Sequence, residues 1–154
     1  MTAPARGPGR GRDRLGRPIP VNDPQAVPPV PEQALPPHAS LALAQSLLDQ
    51  GRAFGAHEVL EASWKAAPTT ERDLWQGLAQ LCVGLTHLQR GNAVGAARLL
   101  RRAAGRLPAA PPYGVDPALA SWAEQLADRV DAGEPGFPQL RLRTPGTLSR
   151  RPGC

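Results

Sequence analysis

From residue 40 to residue 133 the apolar positions of the chain recur at helical spacing; before and after that window proline and glycine break the pattern. Ser40 precedes a segment offering Leu41, Leu47 and Leu48 for burial, and Gly51 follows it. A hydroxyl at the start and a glycine just past the end are helix boundary signals, so a first helix is expected over 40–50. A second is expected over 53–66. "PTTERDL" then restarts the chain, with Thr70 and Asp73 spaced like a capping box in which Asp replaces Glu. The third and longest helix is expected over 71–90, ending at "RGN", and a fourth over 93–107, where Pro108 forbids continuation. Asp116-Pro117 reads as a cap followed by proline at the first helical position. The fifth helix carries Leu119, Trp122, Leu126 and Val130 on one face and stops at Gly133. Beyond it "QLRLRT" alternates like a short exposed strand or an extended tail.

The pattern repeats itself at an offset of 40 residues. Leu41/Leu81, Leu48/Leu88, Gly51/Gly91, Gly55/Gly95, Ala56/Ala96, Leu60/Leu100 and Pro68/Pro108 all coincide. Each half reads as a helix, a glycine-centred turn and a second helix packing through a small alanine. Two such units are few for a solenoid, which needs about three repeats or more. The expected fold class is therefore all-α: a compact bundle of about five helices built from two antiparallel helix pairs plus a C-terminal helix, with Pro/Arg-rich tails. The domain limits follow as a Pro/Gly/Arg-rich, largely irregular segment over 1–38, the bundle over 39–133, and an extended basic tail over 134–154. In the first segment, Leu15 and Ile19 of "RDRLGRPIP" offer something to pack along the domain.

Composition narrows the function classes. The chain has 154 residues, enough for one domain with a core, and only 4% aromatic residues, which leaves Leu, Ala and Val to fill it. The net charge is +5, but residues 1–20 and 141–154 together carry +8, leaving −3 for 21–140. Basic character thus belongs to the tails, which weakens the case for a nucleic-acid-binding folded surface. Two cysteines, Cys82 in an apolar helical run and Cys154 at the end, suit neither a disulfide framework nor a zinc site. The first residues lack the apolar stretch of a signal peptide, and no run approaches a membrane span, so a cytoplasmic protein without a membrane partner is expected.

Candidate chemistry lies on two helical faces. At 100° per residue, Glu61, Trp64, Leu60 and Phe54 all fall within about 60° of His57, so an ionisable pair shares the apolar stripe; Glu58 sits at its margin. On the third helix the leucine stripe Leu74, Leu78, Leu81, Leu85 and Leu88 is opposed by a polar one, Gln76, Gln80 and His87, bordered by Gly77 and Gly84. Glycines beside a polar stripe let another helix backbone approach, and the second helix is the expected neighbour. His57 and Glu61 would then meet Gln76, Gln80 or His87.

These residues carry a resemblance. "FGAHEVLEASW" (54–64), followed by "ERDLWQGLAQLCVGLTHLQRGNAVGAARLL", resembles the family known as domain of unknown function 309, over roughly residues 40–107. The resemblance implies a compact helical bundle, mostly prokaryotic in occurrence, with no established activity. The family often has a polar or charged residue just before the "AHEVLE" segment, where this chain has Gly55.

Three functional readings compete. The favoured one makes His57, Glu58, Glu61, Gln76, Gln80 and His87 a satisfied polar network bracing the helices of an interaction or scaffold protein, with a protein as partner. The first alternative makes the same residues a metal or small-ligand site, with His57 and Glu61 four apart approaching one ion. The spacing is not the H-E-x-x-H of zinc proteases and the third helix offers amides, so no metal is predicted, and catalytic residues and cofactor stay unassigned. The second alternative is nucleic-acid binding through the Arg-rich tails, with further phosphate contacts on Arg98, Arg101, Arg102 and Arg106, which lie along one side of the fourth helix. A solvated outer face explains those arginines more simply.

Overall fold

The computed structural model describes residues 10–134 and 136–144. Five helices fill most of it: α1 (Pro37–Asp49), α2 (Ala53–Ala66), α3 (Arg72–Gln89), α4 (Ala93–Arg106) and α5 (Leu119–Asp131). Each packs on the next in chain order, α1 on α2 through to α4 on α5. The fold is the expected all-α bundle.

The two tight turns have one cause. Gly51 and Gly91 adopt positive φ, 74° and 77°, the left-handed conformation that costs a glycine least. In both, the glycine amide and the amide after it donate back into the last helical turn, Gly51 to Leu48 and Arg52 to Leu47, Gly91 to Leu88 and Asn92 to His87. This Schellman pattern satisfies carbonyls that a helix end leaves open and reverses the chain within two residues. The next helix must lie antiparallel. Leu41, Leu60, Leu78, Leu81, Leu85 and Leu100 are fully buried between the helices, each contributing on the order of 1.5–3 kcal/mol by leaving water.

Several local expectations change. Ser40 does not cap α1, which starts three residues earlier with Pro37 in its first turn, a place where proline's missing N–H costs nothing. Ser40 is instead fully buried, its hydroxyl hydrogen-bonded to that of Ser63 on α2. Thr70 lies in a 3₁₀ turn, Thr69–Glu71, and no side chain caps α3. Asp116 does accept from the Ala118 amide at 2.9 Å, but regular helix begins only at Leu119.

The described parts of both flanking segments lie on the bundle; residues 1–9, 135 and 145–154 lie outside the described residues. Residues 136–144 carry no helix or regular strand, yet Leu140 and Leu142 are in the core rather than exposed. Gln45 of α1 holds them, donating to the Leu140 carbonyl and accepting from the Leu142 amide. Arg10–Arg12 (β1) and Pro18–Pro20 (β2) form an antiparallel two-stranded ribbon, edge strands that tolerate proline. Its turn, at Gly16 (φ 79°), is buried against Phe54; a methyl group there would come within 2.3 Å of the ring.

Candidate functional site

On α2, one turn's spacing brings His57 Nε2 within 2.7 Å of Glu61 Oε2, and Glu61 Oε1 within 2.9 Å of Lys65 Nζ. The Lys65 hydrogen bond, helped by His57, holds the Glu61 carboxyl below the usual carboxylate range against a smaller opposing effect of burial. The His57 ring leans on Phe54, and its Nδ1 is buried without a hydrogen-bond partner. Glu58, one position around the helix, has its pKa raised, chiefly by burial, although Arg12, His57 and Arg52 pull it down.

The polar stripe of α3 faces elsewhere. Gly77 and Gly84 accommodate Leu107 at the end of α4 and Leu100 within it: a methyl group on either would stand 2.9–3.0 Å from those side chains. The glycines therefore receive α4, not α2. The predicted meeting of His57 and Glu61 with Gln76, Gln80 or His87 is not made by any hydrogen bond among the described residues. His87 bonds Asn92, the residue that caps α4 by accepting from the Gly95 amide. Gln76 and Gln80 line a groove of about 540 Å³ with Asp73, Arg102, Gly105 and Arg106. The Gln80 side-chain oxygen is buried and unpartnered.

The four arginines of α4 divide. Arg101 bridges to Asp128 and Asp131 of α5 at 3.0 and 2.7 Å, and Arg106 to Asp73 of α3 at 3.1 Å. Arg98 and Arg102 are exposed and make no hydrogen bond or ion pair among the described residues. Two of the four are thus occupied in holding helices together.

Other residues stand out only in three dimensions. Glu71 accepts from the Trp75 indole at 3.1 Å and from the Tyr113 hydroxyl at 2.7 Å; the latter bond raises the Tyr113 pKa. Tyr113 takes a left-handed backbone (φ 61°), rare for a non-glycine residue, and meets the His38 ring edge-on. Only the i, i+4 spacing of Glu71 and Trp75 is visible in sequence; the approach of Tyr113 is not. Cys82 is fully buried, which pushes its thiol up to about 12 and makes it inert. Among the described residues no group of three or more His, Cys, Asp or Glu is placed to hold a metal ion, and no helix is long and apolar enough to cross a membrane.

Residues 41–99 match the model of the family described as Domain of unknown function (DUF309), so the family resemblance is shown over that segment, which takes in α1 to α3 and the first half of α4. Within the chain, residues amounting to 30% of its length are 46% identical over 48 residues to the uncharacterized protein YpuF of Bacillus subtilis (strain 168). That stretch spans only 28% of the relative's own length. No solved structure matches the chain. These likenesses indicate no specific biochemical function.

Proposed function

We propose that the protein is a cytoplasmic bacterial interaction module that holds an extended, acidic segment of a protein partner in the groove between α3 and α4. The observation that carries this reading is that Gln80, which lines that groove, holds a buried side-chain oxygen with no donor. Leaving such a group unpaired costs on the order of 1–3 kcal/mol. A partner's backbone N–H would relieve that cost. Arg102, in the groove, and Arg98, on the same helix, are the cations left to receive its carboxylates. The nucleic-acid reading loses support on α4, where Arg101 and Arg106 are already paired, while residues 1–9 and 145–154 of the Arg-rich tails it also invokes lie outside the described residues.

A photo-crosslinking residue placed at Gln76 in the full chain tests this in cells. The reading expects one polypeptide captured through an acidic stretch, the adduct lost in Gln80→Leu and in Arg102→Glu but kept in a surface variant such as Glu124→Gln. Adducts with nucleic acid, or capture indifferent to Gln80 and Arg102, would overturn it.

A further inference from the structure

A second cavity lies between the N-terminal ribbon and the start of α2. It has a volume of about 520 Å³, the size of a small organic ligand's site. Its walls have two characters. Val21, Val27, Pro28, Pro29, Val30 and Phe54 give it an apolar body. Arg10, Arg12, Arg14 and Arg52 also line it, with Asp13, Glu32 and Glu58.

Arg12 and Arg52 act on Glu58 through space and lower its pKa, but no hydrogen bond or ion pair joins the charged side chains of this lining to one another among the described residues. Asp13 is engaged in its own turn, accepting from the Leu15 and Arg17 amides. Arg12 donates to the Gly16 carbonyl and lies over the Phe54 ring, 4.8 Å from its centre; Arg52 donates to the Pro28 carbonyl. Those two arginines fasten the segment to α2 and form the frame of the cavity. The side chains of Arg10 and Arg14 make no hydrogen bond or ion pair among the described residues, and neither does that of Glu58, although it is half-buried. Gly55 adds no side chain to the floor: a methyl group would meet Arg52, Val30 and Leu47 at 3.5–3.6 Å, ordinary contact. Glycine is therefore not required there by packing, and its effect is to leave room.

We propose that this cavity binds a small organic acid with an apolar body and a hydroxyl or amino donor. Arg10 and Arg14 face the anion, the valines and Phe54 hold the body, and Glu58 accepts from the donor. A charged guanidinium–anion hydrogen bond is stronger than a neutral one, and the apolar wall favours a ligand over a free inorganic ion. Burial already raises the Glu58 pKa, so a donor from a ligand relieves a carboxylate that the protein itself leaves unpaired.

The full chain is titrated with 4-hydroxyphenylacetate, phenylacetate, tyramine and inorganic phosphate, followed by amide shifts in a ¹H–¹⁵N spectrum. Expected is saturable perturbation around residues 12–14, 26–30 and 54–58 by the two acids, with 4-hydroxyphenylacetate the tighter. The double variant Arg10→Glu/Arg14→Glu should bind both acids about tenfold more weakly or worse. Glu58→Gln should reduce 4-hydroxyphenylacetate to the level of phenylacetate and leave phenylacetate unchanged. Tyramine acting as well as the acids would remove the role of the arginines. Phosphate acting as well would remove that of the apolar wall. No saturable shift from either acid would overturn the site altogether.

Discussion

The pair α1–α2 and the pair α3–α4 are built on the same pattern and finished in opposite ways. Forty residues apart, Gly51 and Gly91 make the same turn, and Leu60 and Leu100 are both fully buried. The polar positions diverge. Ser40 and Ser63 bond across the first pair, while their counterparts, Gln80 and Ala103, leave an amide oxygen without a donor. Phe54 lies beneath the ribbon, whereas its counterpart Val94 is 70% exposed. Outward charges reverse as well: Glu58 and Glu61 correspond to Arg98 and Arg101. The acidic face of α2 is flanked by a segment bearing Arg12, whereas on α4 Arg101 is taken by Asp128 and Asp131 of α5 and Arg98 and Arg102 stay exposed. A repeated apolar frame thus sets the fold, and unrepeated polar residues decide what covers each copy.

The harshest test of this equivalence is in the shared frame. Leu60→Ala and Leu100→Ala should each cost about 2–5 kcal/mol, the loss of a buried side chain plus the cavity left behind. Denaturant unfolding of both variants measures it. Losses matching within about 1 kcal/mol would support one core serving both pairs; a near-silent Leu100→Ala would mean that the second pair can collapse around the gap and is not the structural equal of the first.

That frame was legible in the sequence, because leucine spacing, glycine stops and alanine contacts are local signals that need no partner to be read. The helices followed, and so did the pairing. The candidate site was legible only in pieces. His57 and Glu61 were found together because i, i+4 spacing on one helix implies contact. For Gln76 and Gln80 the sequence points to the wrong neighbour, because a glycine border says that something approaches, not which helix: Leu100 of α4 and Leu107 just past its end fill the space beside Gly84 and Gly77. Ser40 looked like a cap because a hydroxyl before an apolar run usually is one, and its true partner lies 23 residues away. Leu140 and Leu142 looked like an exposed tail because alternation marks a half-buried strand as readily as a free one. Gln45, which ties them down, carries no sequence mark of that role.

A second test separates the polar finishing of the two pairs. Ser40→Ala strands the Ser63 hydroxyl in the core and should cost about 1–3 kcal/mol. Gln80→Leu removes an acceptor that already lacks a donor, so it should be neutral or stabilising in the isolated protein. Opposite signs in thermal unfolding are expected. A large loss in Gln80→Leu would show that Gln80 is satisfied in solution and would undercut the argument that its oxygen waits for a partner.

The smallest effect lies on α2 itself, where neighbouring carboxylates are shifted in opposite directions. Glu61 has its pKa lowered, mainly by the Lys65 hydrogen bond, so it contributes stability above its unfolded pKa and loses it as pH falls through the folded value. Glu58 has its pKa raised by burial above the ordinary 4.5, so the folded state holds that proton more tightly and is disfavoured as pH rises through the range between the two values. At neutral pH Glu61→Gln should therefore lower stability, by about 0.3–0.5 kcal/mol for the Lys65 pair, and Glu58→Gln should raise it slightly. Both differences should vanish in acid, that of Glu58→Gln once pH drops below about 4.5, that of Glu61→Gln only at lower pH. Stability curves from pH 3 to 7 read this directly. If Glu58→Gln destabilised at neutral pH, the charged carboxylate would already have a partner beside Arg12 or Arg52, and the cavity under the ribbon would offer a ligand nothing to complete.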